Sequence, residues 1–302
     1  MRSGADGEKK KAMLRIGRID YLNVWPLFQG LQQRLDAETQ ALTRIVAGHP
    51  ADLNKALAEA ELDVAPSSSF EYLSRADRYT LLPDLSISSD GPVRSVLLAC
   101  PFPVSEMPRR LASGLRVGLS SASASSTALL RVLWRFHWKW PEPEWVERRP
   151  GQELDKGMPF LEIGDFALRL HCDPPRGWHL VDLGQAWREF TNLPFVFGVW
   201  MVRRNLPPRV GHLLTCAAEA LYTASREFRD DPFPLAARLE RPDWLTMKSL
   251  QDYWQCIRYA FGPREQAGLV LFGDFARRMG MIPAVPGLTW SRPSKRDFAL
   301  AA

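Results

Sequence analysis

The chain has 302 residues, 46% of them hydrophobic and 24% charged, which is the composition of a soluble globular protein longer than one core usually organises, so two lobes are expected. A formal net charge of +5 suits anionic ligands of any size but is too mild to mark a nucleic-acid-binding surface. No apolar run approaches the ~18 residues of a membrane span, so no membrane partner is expected.

Lys9, Lys10 and Lys11 lead directly into a strand over 14–19, without a separate apolar stretch and small-residue cleavage site, and a cytoplasmic location is therefore expected. A turn follows, then a helix over 26–35 opened by Pro26, a residue favoured at the first helical position because its missing N–H would be unpaired there anyway. Free backbone donors and the positive helix end gather just ahead of Pro26, so Asn23 is expected to face an anionic ligand; the alternative is that Asn23 bonds only its own turn. A strand over 43–47, a helix over 50–59 with Asp52 in its first turn and a strand over 62–65 continue an alternation that implies a parallel sheet with right-handed crossovers. After Pro66 and Ser67 come a helix over 70–75 and extended pieces over 79–82 and 93–99, the latter entered through a turn from which Ser89 and Ser95 can reach a cleft. Clustered prolines at 101–108 interrupt both helix and ladder and read as a crossover to a second lobe.

The second lobe is expected to hold strands over 116–119, 145–148, 161–163 and 196–202, with a helix over 127–138. In that helix Arg131, Arg135 and Lys139 recur every four residues, which makes them a solvated stripe with aromatics packed inward rather than a nucleic-acid surface. Residues 203–208 read as the return crossover, followed by helices over 210–228, 234–241, 247–260 and 263–279, the last two packed on the first lobe. The division is then lobe 1 over 13–100 plus 205–285, lobe 2 over 101–204, and flexible tails over 1–12 and 289–302. A chain that leaves one lobe, builds another and returns has a ligand cleft between them, and function is expected at strand ends facing it.

Two clusters fall there. Ser123, Ser125 and Ser126 lie between a strand and a helix, where hydroxyls and unpaired helix N–H groups can cradle an anion; the alternative is plain capping by one serine. Gly164 lets backbone approach closely and Asp165 opens a helix, either as a simple cap or as a site residue. No P-loop, G-x-G-x-x-G, H-E-x-x-H or G-x-S-x-G occurs. His171-Cys172-Asp173 lacks a second ligand group at fixed spacing and reads as a polar loop, and Cys100, Cys172, Cys216 and Cys256 are far apart, so no metal is expected and the thiols are expected reduced and mostly buried.

Several groups of residues, in order along nearly the whole chain, carry a resemblance: Gly17-Arg18-Ile19 with Tyr21-Leu22-Asn23 and Pro26; Leu62 to Ser67 with Glu71-Tyr72; Gly91-Pro92-Val93 with Ser95 to Leu98; Ile163-Gly164-Asp165 with Ala167-Leu168; and Asp182-Leu183-Gly184, Trp187, Thr191, Leu193 to Phe197 and Trp200. Jointly they resemble the MqnA family of menaquinone-biosynthesis proteins. The resemblance implies an α/β, two-lobed, type 2 periplasmic-binding-protein-like fold. It also implies chorismate dehydratase activity in the futalosine route, with the small molecule chorismate as partner and no cofactor. Asn23 matches the position of an essential site residue in that family, and the serine turn and the Asn23 turn would take the two carboxylates of chorismate from opposing lobes. An amide cannot serve as an ordinary base near neutral pH, so the proton acceptor is expected to be the substrate's enolpyruvyl carboxylate or Asp165. The expected substrate-binding set is Ser67, Ser89, Ser95, Ser123, Ser125, Ser126, Gly164 and Asp165. Ser120 and Ala124 depart from residues common in the family, an acidic one and a longer one. The rival expectations are a non-catalytic binding protein for small anions and the related 1,4-dihydroxy-6-naphthoate synthase.

Overall fold

The first strand, β1 (Leu14–Arg18), buries Leu14 and Ile16 completely and turns into α1 (Trp25–Arg34), where Pro26 sits in the first turn. A computed structural model describes residues 12–152, 154 and 157–291 of the chain. After α1 come α2 (Ala37–Ala41), β2 (Thr43–Ala47), α3 (Pro50–Ala58), β3 (Val64–Ser68), α4 (Ser69–Arg75) and the long β4 (Tyr79–Ser89). The next segment runs β5 (Val96–Cys100), α5 (Met107–Leu111), β6 (Arg116–Ser120), α6 (Ala124–Val132), β7 (Glu144–Arg148), β8 (Phe160–Ile163), α7 (Gly164–Cys172), β9 (His179–Asp182) and α8 (Leu183–Thr191). The chain closes with β10 (Phe195–Arg203), α9 (Pro208–Asp230), α10 (Phe233–Ala236), α11 (Met247–Trp254), β11 (Arg258–Phe261) and α12 (Pro263–Arg278).

These strands form two sheets. The first has the order β11-β4-β10-β3-β1-β2 and the second β7-β6-β8-β5-β9. Parallel pairing between named strands is confined to β2-β1-β3 in the first and β7-β6-β8 in the second, with helices connecting β1 to β2, β2 to β3 and β6 to β7; β10 and β5 run antiparallel to their neighbours. The expected two-lobed α/β plan is therefore present, with mixed rather than wholly parallel sheets.

Both crossovers lie elsewhere than the prolines suggested. β5 belongs to the second sheet, so the chain leaves the first lobe between Ser89 and Val96, not at 101–108. The break has a local cause: Gly91 at φ +122°, Pro92 and Arg94 at φ +61° cannot continue a ladder. Residues 101–108 instead make a 3₁₀ turn and open α5 inside the second lobe. The return occurs at Asn192, which caps α8 in the left-handed region at φ +59°, followed by Leu193 and Pro194. β10 consequently sits in the first sheet between β3 and β4, and the boundaries 13–100 and 101–204 move to about 89 and 195. The helix expected over 247–260 ends at Trp254 and gives way to β11, the one over 234–241 shrinks to α10, and α2, β9 and α8 were not foreseen. Part of the presumed C-terminal tail is paired: the Leu81 amide donates to Thr289 O at 2.8 Å and the Ser291 amide to Leu81 O at 2.8 Å. Residues 1–11 and 292–302 lie outside the described residues.

Aromatic packing joins the lobes. Trp187 on α8 is fully buried and meets Phe195 on β10 edge-on at 5.3 Å and Phe272 and Phe275 on α12, each at 6.1 Å. α12 thus packs across both lobes, against β10 and α6, rather than on the first alone. At the first sheet's far end Asp63 is buried and takes hydrogen bonds from the Arg15 amide (2.8 Å), the Arg15 guanidinium (2.9 and 3.0 Å) and Arg203 Nε (2.8 Å), tying β1, β3 and β10 together.

Candidate functional site

A cavity of about 550 Å³ opens between the lobes, walled by strand ends and turns of both sheets. From the first lobe the β1–α1 turn enters it with Tyr21 and Asn23. That turn is closed by the Val24 and Trp25 amides donating to Tyr21 O at 3.1 and 3.2 Å, and it is held from behind by Trp254 Nε1 on Leu22 O (3.0 Å) and Tyr259 OH on Asn23 O (2.7 Å). The carbonyls of Leu22 and Asn23 are thereby held, while the Asn23 side-chain Oδ1 is buried without a hydrogen-bond partner. Ser67 Oγ, on the neighbouring β3, is in the same condition. Asn54 Oδ1 and Glu71 Oε1, on two further lining residues, are also buried without a hydrogen bond, and since a buried polar atom left unpaired costs about 1–3 kcal/mol, four of them around one cavity is the arrangement of groups that a ligand completes. The reading in which Asn23 only bonds its own turn does not hold for Oδ1.

The second lobe contributes the serine turn. Ser123 Oγ accepts from the Ser126 amide at 3.2 Å as the cap of α6, and Ser123 and Ser126 both line the cavity, so capping and cradling are served by the same residues. Ser125 faces away. Its Oγ lies 2.7 Å from Ser68 Oγ and 3.0 Å from Ser69 Oγ and accepts from the Phe70 amide at 3.1 Å, which makes it a seam between lobes rather than a ligand contact. Ser95 lines the cavity and receives Tyr253 OH at 3.1 Å. Ser89 does not line it: it is fully buried in the wall and donates to Gly91 O at 2.9 Å, shaping the first crossover.

Gly164 lines the cavity at φ +64°, and a Cβ there would lie 3.0 Å from the Tyr21 ring, so the close approach of the two lobes requires glycine. Asp165 is not among the lining residues. Its Oδ1 accepts from the Leu22 amide at 3.2 Å across the lobes, and burial raises its carboxyl from 3.8 to about 6 despite that hydrogen bond. Burial, then the nearby Asp165 and Glu162, push the Tyr21 phenol up to about 12, so it remains protonated.

The sequence did not single out the cations of this site. Lys55 on α3, Arg75 at the end of α4 and Arg78 in the turn after it line the cavity, together with the carboxylates Glu59 and Glu71. Glu71 Oε1 is paired with Arg75 at 3.3 Å, whereas Lys55 and Arg78 have no carboxylate partner among the described residues. Their spacing is that of any solvated helix face, and the signal was the fold that turned this face toward the second lobe. Among the described residues no group of three or more His, Cys, Asp or Glu could hold a metal ion. His171 and Cys172 end α7 rather than forming a loop, and all four cysteines are free thiols, of which Cys100 is buried and the others half-buried. No helix among the described residues is long and apolar enough to cross a membrane.

Comparison with known proteins bears on this arrangement. A chorismate dehydratase of Thermus thermophilus is 32% identical over 274 residues, 86% of this chain and 93% of that protein. A chorismate dehydratase of Campylobacter jejuni is 31% identical over 183 residues, 60% of this chain and 64% of its own. Among solved structures, a Candida albicans protein with the generic periplasmic-binding-protein fold superposes with a TM-score of 0.58 at 11% identity, covering 94% of this chain and 99% of that one, which shows the shared fold. The model of the menaquinone-biosynthesis family matches residues 14–278, and this two-lobed chain belongs to that family.

Proposed function

We propose that this protein is a chorismate dehydratase, a hydro-lyase that converts chorismate to 3-[(1-carboxyvinyl)oxy]benzoate in menaquinone biosynthesis. The observation that carries the reading is the set of buried oxygens without hydrogen bonds, Asn23 Oδ1, Asn54 Oδ1, Ser67 Oγ and Glu71 Oε1, on residues lining a cavity that also holds a helix N-terminus and two cations without carboxylate partners. A small dianion of chorismate's size is matched by such a cavity. One carboxylate would lie at the Ser123–Ser126 cap, the other toward Lys55 and Arg78.

The reaction breaks the ring C3–H bond, places that electron pair between C3 and C4, and expels the C4 hydroxyl, which leaves as water after taking a proton. Aromatisation supplies the driving force, so the protein's task is positioning and charge stabilisation. Asn23 is assigned to hold the substrate so that its amide meets developing charge. Asp165 lies behind the wall with its carboxylate on the Leu22 amide, and Glu71 is in an ion pair with Arg75 at 3.3 Å but its Oε1 accepts no hydrogen bond; this reading assigns the proton to the enolpyruvyl carboxylate of the substrate. Purified protein mixed with chorismate is expected to yield the aromatic enolpyruvyl ether, identified by its ultraviolet spectrum and by mass. Binding of chorismate with no product would instead favour a solute-binding role.

A further inference from the structure

We infer that Asp165 is a positioning residue that couples closure of the lobes to assembly of the site: by holding the Leu22 amide from the opposite lobe, it aims the adjacent Asn23 side chain into the cavity. The Leu22-Asn23 unit has three tethers. Two come from the first lobe, Trp254 Nε1 on Leu22 O at 3.0 Å and Tyr259 OH on Asn23 O at 2.7 Å, and these persist whatever the second lobe does. The third, Leu22 N to Asp165 Oδ1 at 3.2 Å, exists only while the lobes are together. One residue away Tyr21 rests on Gly164, where an added Cβ would lie 3.0 Å from its ring, so Tyr21-Leu22 and Gly164-Asp165 meet residue against residue. When the lobes part, the turn loses this amide partner, and the adjacent Asn23, which lines the cavity, loses one of the constraints on its position. A catalytic amide displaced by about an ångström costs on the order of a hundredfold in rate.

The groups facing Asp165 are the phenols of Tyr21 on the β1–α1 turn and Tyr253 on α11, with Glu162 of β8 beside Tyr21. Both phenols are pushed up by burial and stay neutral. Glu162 is also raised by burial and is held by the Gly151 amide at 3.0 Å and the Ile163 amide at 3.1 Å. No cation among these neighbours compensates the Asp165 carboxylate, so its charge is committed to the Leu22 amide.

The kinetic arm of the test rests on the chorismate dehydratase reading; the hydrogen-exchange arm does not. Asp165→Asn keeps an acceptor oxygen and should retain kcat within about threefold of the parent, whereas Asp165→Ala should lower kcat on the order of a hundredfold, with a smaller change in KM. In the ligand-free protein the Leu22 amide should exchange about tenfold faster in the alanine variant and near the parent rate in the asparagine variant. An asparagine variant as inactive as the alanine one, with Leu22 still protected, would make the carboxylate chemical and overturn the inference. So would an alanine variant with parental kcat and parental protection. Should the alanine variant not fold, Asp165→Ser decides: its side chain is too short to reach the Leu22 amide, which should exchange about tenfold faster than in the parent, and parental protection would contradict the assignment. A parent that leaves chorismate intact removes the proposed function, while the exchange result still decides the tether.

Discussion

Asn23 has its carbonyl held by Tyr259 OH while its amide oxygen is unpartnered, and this separation of a held main chain from a free side chain is what a substrate-orienting residue needs. Glu71 is a carboxylate at the cavity wall in an ion pair with Arg75 at 3.3 Å, its Oε1 buried without a hydrogen bond. Glu71→Gln is accordingly expected to keep kcat within about fivefold, whereas a general base would lose two orders of magnitude or more, and steady-state kinetics on chorismate separate the two. Turns with a mechanism were legible at this scale: Asn23 ahead of Pro26, Ser123 as cap and Gly164 at positive φ each announce a local geometry. What the sequence could not tell was direction. Ser125 and Ser126 are adjacent in one helical turn, yet one seals the lobes and the other faces the cavity, because side chains about 100° apart on a helix see different neighbours.

At the scale of elements, β1, β3 and β10 are joined at their far ends by Asp63. Burial works against its charge, but the hydrogen bonds from Arg15 and Arg203 outweigh it and hold the carboxyl below the usual range. A depressed folded pKa contributes stability that is present above the unfolded value near 4 and is lost as pH falls through the folded one. Asp63→Asn should therefore destabilise the protein by about 3 kcal/mol near neutral pH, with the gap to the parent closing in acid, as measured by urea unfolding at the two pH values. The crossovers explain the largest error of sequence reading. β4 and β10 look like ordinary strands, and only pairing shows that both lie in the first sheet with the lobes diverging at Gly91 and Asn192. Prolines at 101–108 were a louder local signal than one Gly-Pro pair, but they punctuate a helix start within the second lobe.

For the whole molecule, the two lobes meet at the Ser125 seam and at the Asp165 tether. The tether has a stability signature of definite sign. Burial raises Asp165 to about 6, so the folded protein binds this proton more tightly than the unfolded chain, and the associated stability is full below about pH 4 and lost as pH rises through about 6. Asp165→Asn escapes that loss, and its melting temperature relative to the parent should rise by several degrees between about pH 4.5 and pH 7.5; a constant difference would argue against the shift. The central claim is that Asn23, presented between two lobes that clamp chorismate, drives loss of water rather than mere capture. Its most direct test pairs equilibrium binding with turnover for the parent and Asn23→Ala. The account predicts a kcat at least about a hundredfold lower in the variant with chorismate affinity reduced less than about tenfold; undiminished turnover by Asn23→Ala would contradict it.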